Sequence, residues 1–413
     1  MIESFIHEWA NLLIRWIHFI VGVAWIGASF YFNWLENNLE RKPPQDRGKD
    51  NEIAGNLWAI HGGGFYHLKK FKTGPQPLPT QLHWFKWEAY TTWLSGITLL
   101  IVVYYFNARL FLIKPGLIDS GVMDITPTKA IAIAVISVIG SWFVYDGFCR
   151  SPLRKTPLLL ATTLVLYLSL LAYFLSEVFS GRGAYIHVGA AIGTMMVGNV
   201  FFVIIPAQKE MVVALKEQRP IDPAVGKNGL LRSTHNNYLT LPVLFLMISN
   251  HFPSAYGHSW NWLILIVVSL ISVAVRHYFN IRKVIKSLWW ILPAAFIAML
   301  LVMWMTAPVP QTAVSTSAST SKTVATQEKI DIDSMVQTII QKRCTVCHSE
   351  SPTQPGFAAP PAGLVMDNPD QVIANADRIY QAAVLNKTMP IGNLTKITQQ
   401  ERDLIAQWYT SFP

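Results

Sequence analysis

Charged residues are scarce in this chain. Only 14% of its 413 residues are Asp, Glu, Lys or Arg, against 52% hydrophobic, where a soluble protein carries roughly a quarter charged residues. That deficit argues against an ordinary soluble enzyme. Cysteine is scarce too, with three in all. Cys344 and Cys347 share one short motif, which leaves Cys149 without an intrachain disulfide partner and reads as an inert buried thiol. A basic leader is missing as well. Glu3 and Glu8 precede the first apolar run, so the start does not have the pattern of a cleaved signal peptide.

What is abundant is apolar and aromatic surface, including 15 Trp and 21 Phe. Eight apolar segments are each long enough to cross a hydrocarbon core of about 30 Å: 10–34, 84–106, 128–147, 157–177, 184–206, 235–252, 261–280 and 287–307. The sixth is short and carries Pro242. The net charge of +9 does not form a nucleic-acid patch, because the basic residues sit in alternate connections between the apolar runs. One set holds Arg41, Lys42, Arg150, Arg154, Lys209, Arg232, Arg276 and Arg282, while the other offers little beyond Arg109, Lys114 and Arg182. By the positive-inside rule the first set is cytoplasmic, and both chain ends are periplasmic in a bacterial inner membrane.

Cys344-Thr345-Val346-Cys347-His348 is the attachment signature of a c-type haem. Each thiol adds to one porphyrin vinyl group, and the spacing sets His348 beneath the iron as axial ligand. A redox dithiol or half of a zinc site are the other readings, and no second pair of zinc ligands follows. Covalent haem attachment takes place outside the cytoplasmic membrane, in agreement with the charge asymmetry. Residues 308–327, rich in Ser, Thr, Ala and Pro, read as a flexible tether. Residues 328–413 read as a small α-helical domain of the class I cytochrome c type. Asp333 or Ser334 is the expected cap of a helix entering the motif, and a last helix is expected near Thr398 with Glu401 completing a capping box. Met389 is the expected distal iron ligand, with Met366, flanked by apolar residues, as its competitor. The fold class is therefore all-α: a polytopic helical bundle over 1–307, a tether and a cytochrome domain.

Ionisable residues inside spans are costly and mark function. His18 and His187 fall in the periplasmic halves of the first and fifth spans. Each shares a helix face with small residues, Gly22 and Ser29 for the first, Ala190, Thr194 and Gly198 for the second. Such a pair would hold a second, non-covalent haem b between helices, unless the small residues serve close packing alone. A second group gathers at the cytoplasmic ends: His61, the three glycines after it and His67, then His83, Lys86 and Glu88, Asp146, the run from Thr234 to Tyr238, and His277. The glycines offer a backbone nest for an anion. Lys86, His61 and His235 would supply charge and hydrogen bonds, and Glu88 or a neutral histidine a base. Many of these groups would equally serve as helix caps.

The runs Arg15-Trp16-Ile17-His18, Gly22-Val23-Ala24-Trp25-Ile26-Gly27, His61 to His67, His83 to Tyr90 and Ser233 to Pro242 resemble the bacterial membrane-bound urate hydroxylases of the PuuD type, over nearly the whole chain. The resemblance implies an eight-span urate oxidase domain fused to a cytochrome c. It also implies oxidation of urate to 5-hydroxyisourate, with electrons leaving through haem c to a respiratory acceptor and no hydrogen peroxide released. Without it, the residues support a membrane oxidoreductase delivering electrons to a haem c, a quinol-to-cytochrome relay, or a haem or metabolite transporter with a fused cytochrome.

Overall fold

The computed structural model describes residues 2–41, 53–114, 117, 125–307, 322–355, 357, 360–385 and 387–412. α1 (Ile2–Asn38) is followed by strands β1 (Ile53–His61) and β2 (Gly64–Phe71). α2 (Trp87–Leu99) runs into a π-helical turn over Leu100–Tyr105 and then the short α3 (Ala108–Phe111). α4 (Pro127–Arg150), α5 (Pro157–Val178) and α6 (Gly181–Gly198) follow. A second π turn, Asn199–Ile204, leads to α7 (Ile205–Lys216), α8 (Pro223–Ile248), α9 (Pro253–Tyr256), α10 (Asn261–Ile281) and α11 (Ile291–Met305).

Six of the described helices are long and apolar enough to cross a membrane, and the chain is a multi-pass membrane protein. Two of the eight segments expected from the sequence do not meet that measure, for visible reasons. The second is divided where the α-helical bonding of α2 gives way to the π turn at Leu100. The sixth is the C-terminal part of α8, whose first half is polar from Lys227 to Asn237.

The bundle is sorted as a bilayer requires. Trp16, Ile17, Phe19, Ile20 and Val23 of α1 face outward, whereas α6 is buried on nearly all sides. On α4 the buried stripe is Ala130, Ala134, Val138, Ser141, Trp142, Tyr145 and Cys149, a spacing of three and four that lays one face against α6. Lipid gives helices no hydrophobic reason to associate, so small residues and close contact decide the packing. Gly198 shows this: a Cβ there would fall 2.3 Å from Cε3 of Trp142.

Successive helices alternate in direction. The start of α1 meets the end of the α2 unit, His7 Nε2 lying 2.8 Å from the Val102 carbonyl. The start of α6 meets the start of α10 through Tyr185 and the Asn261 carbonyl, 2.7 Å. The end that gathers α3 and the N-terminus of α6 is called the near end below, and the opposite one the far end.

The all-α expectation needs one correction. β1 and β2 form an antiparallel hairpin in register from His61↔Gly64 to Gly55↔Lys70. Gly62 and Gly63 take φ of 56° and 81°, the two positive values of a two-residue hairpin turn that glycine adopts without strain. The glycine run thus forms the hairpin turn. Its period-two stretch is too short and too mixed to stand out between long helical runs.

The C-terminal domain comprises α12 (Lys322–Arg343), α13 (Pro369–Ala374), α14 (Ala376–Ile379) and α15 (Gln399–Thr410). α12 starts before the expected cap at Asp333 or Ser334 and takes in the last residues of the expected tether, whose 308–321 lie outside the described residues. Its core joins Val336, Ile340, Met366, Ile405 and Trp408. α15 begins at Thr398 as expected, with a capping box in which Thr398 Oγ1 accepts from the Glu401 N–H. This domain touches the near end of the bundle at α3. Gly392, at φ 60°, lies so close that a Cβ would sit 3.1 Å from the Arg109 carbonyl oxygen and 3.2 Å from that of Leu110.

Candidate functional site

The far end holds a buried polar network built on α4, the π turn after α6, and α8. Arg232 is 1% exposed. It donates from Nη2 to Asp146 Oδ1 at 2.5 Å and from Nη1 to Asn199 Oδ1 at 3.3 Å. Its Nε has no partner among the described residues. The guanidinium lies over the Tyr145 ring, 5.1 Å from its centre. Asn199 donates to the Tyr145 oxygen at 2.9 Å and to Asn236 Oδ1 at 2.8 Å, and Asn236 donates to the Met196 carbonyl at 2.9 Å. The Tyr145 hydroxyl, which accepts from Asn199, also shares a hydrogen bond with Nδ1 of His235, 2.8 Å away. Cys149 Sγ lies 3.8 Å from the same nitrogen. The π turn places Asn199 here, because its extra residue per turn rotates the side chain out of the α-helical sequence of faces.

Beside the network lies a cavity of about 510 Å³, lined in part by Cys149, Arg150, Arg154, Glu210, Asn228 and Arg232. Arg150 is tied to Asp146 Oδ2 at 2.6 Å. Three guanidiniums and few acids suit a planar anion, which an arginine recognises through paired donors. A second polar knot joins α1, α8 and α10. Arg276 donates from Nε to Asn237 Oδ1 at 2.9 Å and stacks 4.1 Å over Phe30, while the Tyr238 hydroxyl meets His277 Nδ1 at 2.7 Å.

The near end holds a separate cavity of about 380 Å³ between α1, α2, α6 and α8. His18 lines it; His187 does not. His187 is fully buried beside Phe179, Tyr104 and Tyr105, with ring centres 5.2, 5.7 and 5.8 Å away, and donates from Nδ1 to the Gly183 carbonyl at 2.7 Å. The structure therefore does not bring the two histidines to one void.

In the C-terminal domain Cys344, Cys347 and His348 occupy one turn after α12, closed by the His348 N–H to the Cys344 carbonyl at 2.9 Å. His348 donates from Nδ1 to the Leu364 carbonyl at 3.1 Å, which leaves Nε2 with its lone pair. Burial pushes the Cys344 thiol up to about 12, with Cys347 adding to the shift, and burial raises Cys347 too. A redox dithiol needs the opposite, a stabilised thiolate. Two neutral thiols in an apolar wall beside a free imidazole nitrogen fit a covalently attached porphyrin. Met366 belongs to the domain core, its N–H donating to the His348 carbonyl at 2.8 Å. Met389 is half-buried, and its carbonyl accepts from Arg402 at 2.9 Å. Among the described residues no three His, Cys, Asp or Glu side chains gather to hold a metal ion.

Of the catalytic candidates named from the sequence, His235 enters the far-end network and the others do not. His61 is exposed at the hairpin turn. Lys86 precedes the first turn of α2, with its amine 5.6 Å from the Trp87 ring. Glu88 has one buried oxygen without a partner among the described residues and the other 4.0 Å from His83 Nε2. Tyr145, Asn199 and Arg232 were missed as site residues. Arg232 counted as an orientation charge, yet Arg232, Asn236, Leu239, Thr240 and Val243 share one helix face, and their common burial marks it as facing inward.

Residues 4–307 match the family model described as urate oxidase N-terminal. No curated protein and no solved structure matches the chain.

Proposed function

The chain belongs to the urate oxidase N-terminal family, and from that premise we propose that it is a membrane-bound urate hydroxylase linked to a C-terminal haem c. The reaction is urate plus water to 5-hydroxyisourate, two protons and two electrons, the electrons leaving one at a time to a respiratory acceptor of the cytochrome c class. The bundle spans the inner membrane eight times, counting the α2 unit and the second half of α8, with the near end and the C-terminal domain in the periplasm.

The observation that carries the substrate site is Arg232, nearly fully buried, with an Nε that has no partner among the described residues, standing between the Tyr145–His235 pair and the arginine-lined cavity. Arg232, with Arg150 and Arg154, holds the urate anion. Asn199 and Asn236 fix the orientation of the pair. His235 takes up a proton as the purine is oxidised, through the hydrogen bond it shares with Tyr145. Cys344 and Cys347 would hold the haem c, and His348 and Met389 its iron; that group would supply one-electron acceptance. The C-terminal domain meets α3 at the near end through Gly392, so electrons would leave the bundle on that side.

The test is anaerobic mixing of the oxidised, purified protein with urate while the haem c spectrum is followed. Reduction by urate, with no hydrogen peroxide on readmission of air, is the expected result. Indifference to urate combined with reduction by a quinol would instead make the chain a quinol-to-cytochrome relay.

A further inference from the structure

The near-end cavity has features that urate chemistry does not require. Its walls are mostly apolar side chains, and it is larger than a purine needs. Two histidines line it, His18 and, at the near-end rim, His251, and His18 is held in a fixed pose. His18 donates from Nδ1 to the Thr92 carbonyl at 3.0 Å, with Ser95 Oγ also 3.0 Å away. A Cβ at Gly96 would sit 3.0 Å from His18 Cε1, so the ring is clamped against α2. A carbonyl can only accept, so Nδ1 carries the proton and Nε2 keeps its lone pair. That is the tautomer of a metal-ligating histidine, held by the kind of outer hydrogen bond such ligands use.

Small residues give the space a flat boundary. Gly22 lies one turn from His18 on α1. Gly189, Ala190 and Gly193 line the opposite wall on α6, and a Cβ at Gly193 would meet nothing within 4 Å. At the near end the cavity is bounded by Arg15 and Arg182. Arg15 donates to Asn11 at 3.0 Å and Arg182 to Asn250 at 3.3 Å. Neither pairs with a carboxylate among the described residues. Two such cations in a membrane domain call for two anionic groups on whatever fills the space.

We propose that this cavity binds a non-covalent haem b, with His18 Nε2 on the iron, the macrocycle between α1 and α6, and the two propionates on Arg15 and Arg182. A single flat ligand satisfies the imidazole, the apolar walls and both guanidiniums at once. His187 takes no part. The site lies on the side of the bundle where the C-terminal domain touches α3, and it meets the far-end network at Met196. That residue lines the cavity, and its carbonyl accepts from Asn236. A haem here would divide the passage between urate and haem c into two shorter steps. The binding itself stands independently of the urate reading, since haem content is measured without substrate.

The full chain, purified in detergent from haem-sufficient cells, is assayed by pyridine haemochrome after acid-acetone extraction. The expected result is one extractable haem b beside one covalent haem c per chain. His18→Ala should lose the extractable haem and keep the covalent one, which reports that the chain still folds. Added imidazole should restore binding of supplied haem to that variant. The double change Arg15→Gln with Arg182→Gln should lower retention at least tenfold, while His187→Ala should retain the extractable haem. Wild-type protein with haem c alone, or His18→Ala with full extractable haem, would overturn the proposal. So would recovery of a quinone or lipid in place of haem b.

Discussion

At the scale of single residues, the far-end network separates charge placed for structure from charge placed for chemistry. Asp146 is held by two arginines, Arg150 on Oδ2 and Arg232 on Oδ1. Breaking a buried ion pair commonly costs about 3–5 kcal/mol because it strands one charge, but here Arg150 remains on Asp146 when Arg232 is lost. Arg232→Gln is therefore expected to leave a folded protein while lowering the rate of haem c reduction by urate about 100- to 1000-fold, the range for removing one preorganised donor. Stopped-flow reduction against urate concentration reads this directly. Tyr145→Phe removes the hydroxyl that joins Asn199 to His235. It should cost about 1–3 kcal/mol of stability by leaving both groups unpaired, and slow reduction at saturating urate more than it weakens urate binding.

At the scale of elements, the hairpin and α15 carry contrasting predictions. An isolated two-stranded hairpin is marginal in water, and Gly63 at φ 81° cannot take a Cβ without about 1–2 kcal/mol of strain. Gly63→Ala should speed proteolytic nicking within 53–71 and leave urate-driven haem reduction within about twofold of wild type. A collapse of activity would return the glycine run to the substrate site. In α15, burial by itself would raise the Glu401 carboxyl, but hydrogen bonds from Arg343 and the Thr398 N–H hold it below the usual range. A carboxyl depressed in the folded state contributes stability that is complete above its unfolded value of about 4.3 and is lost as the pH falls through the lower folded value. The denaturation midpoint of the C-terminal domain should therefore fall below about pH 4.3. Glu401→Gln should flatten that dependence and cost about 1 kcal/mol at neutral pH, because the hydrogen bonds from Arg343 lose their charged acceptor.

At the scale of the whole molecule, the C-terminal domain meets the bundle through backbone at Gly392 and α3. Gly392→Leu has no room against the Arg109 and Leu110 carbonyls. It should leave the spectrum of haem c unchanged while slowing its reduction by urate at least tenfold, and an external small reductant should reduce both proteins alike. The bundle's outline was open to reading from the chain itself. Long apolar runs have one stable form in lipid, a helix that satisfies its own backbone, so 128–147, 157–177 and 261–280 fall within a few residues of α4, α5 and α10. The capping box at Thr398 and Glu401 was equally local. Which polar groups meet was not. His235 pairs with Tyr145, and Arg232 with Asp146, across 90 and 86 positions, and no local pattern encodes such a pairing. His18 and His187, alike in depth and in their small neighbours, were separated only by the rotation of α6, which turns Gly189, Ala190 and Gly193 to the cavity and His187 to Phe179 and Tyr105. Helix placement follows from the solvent around each segment, which the sequence carries by itself. The facing of one helix toward another depends on close packing among all of them, and that the tertiary structure alone decides.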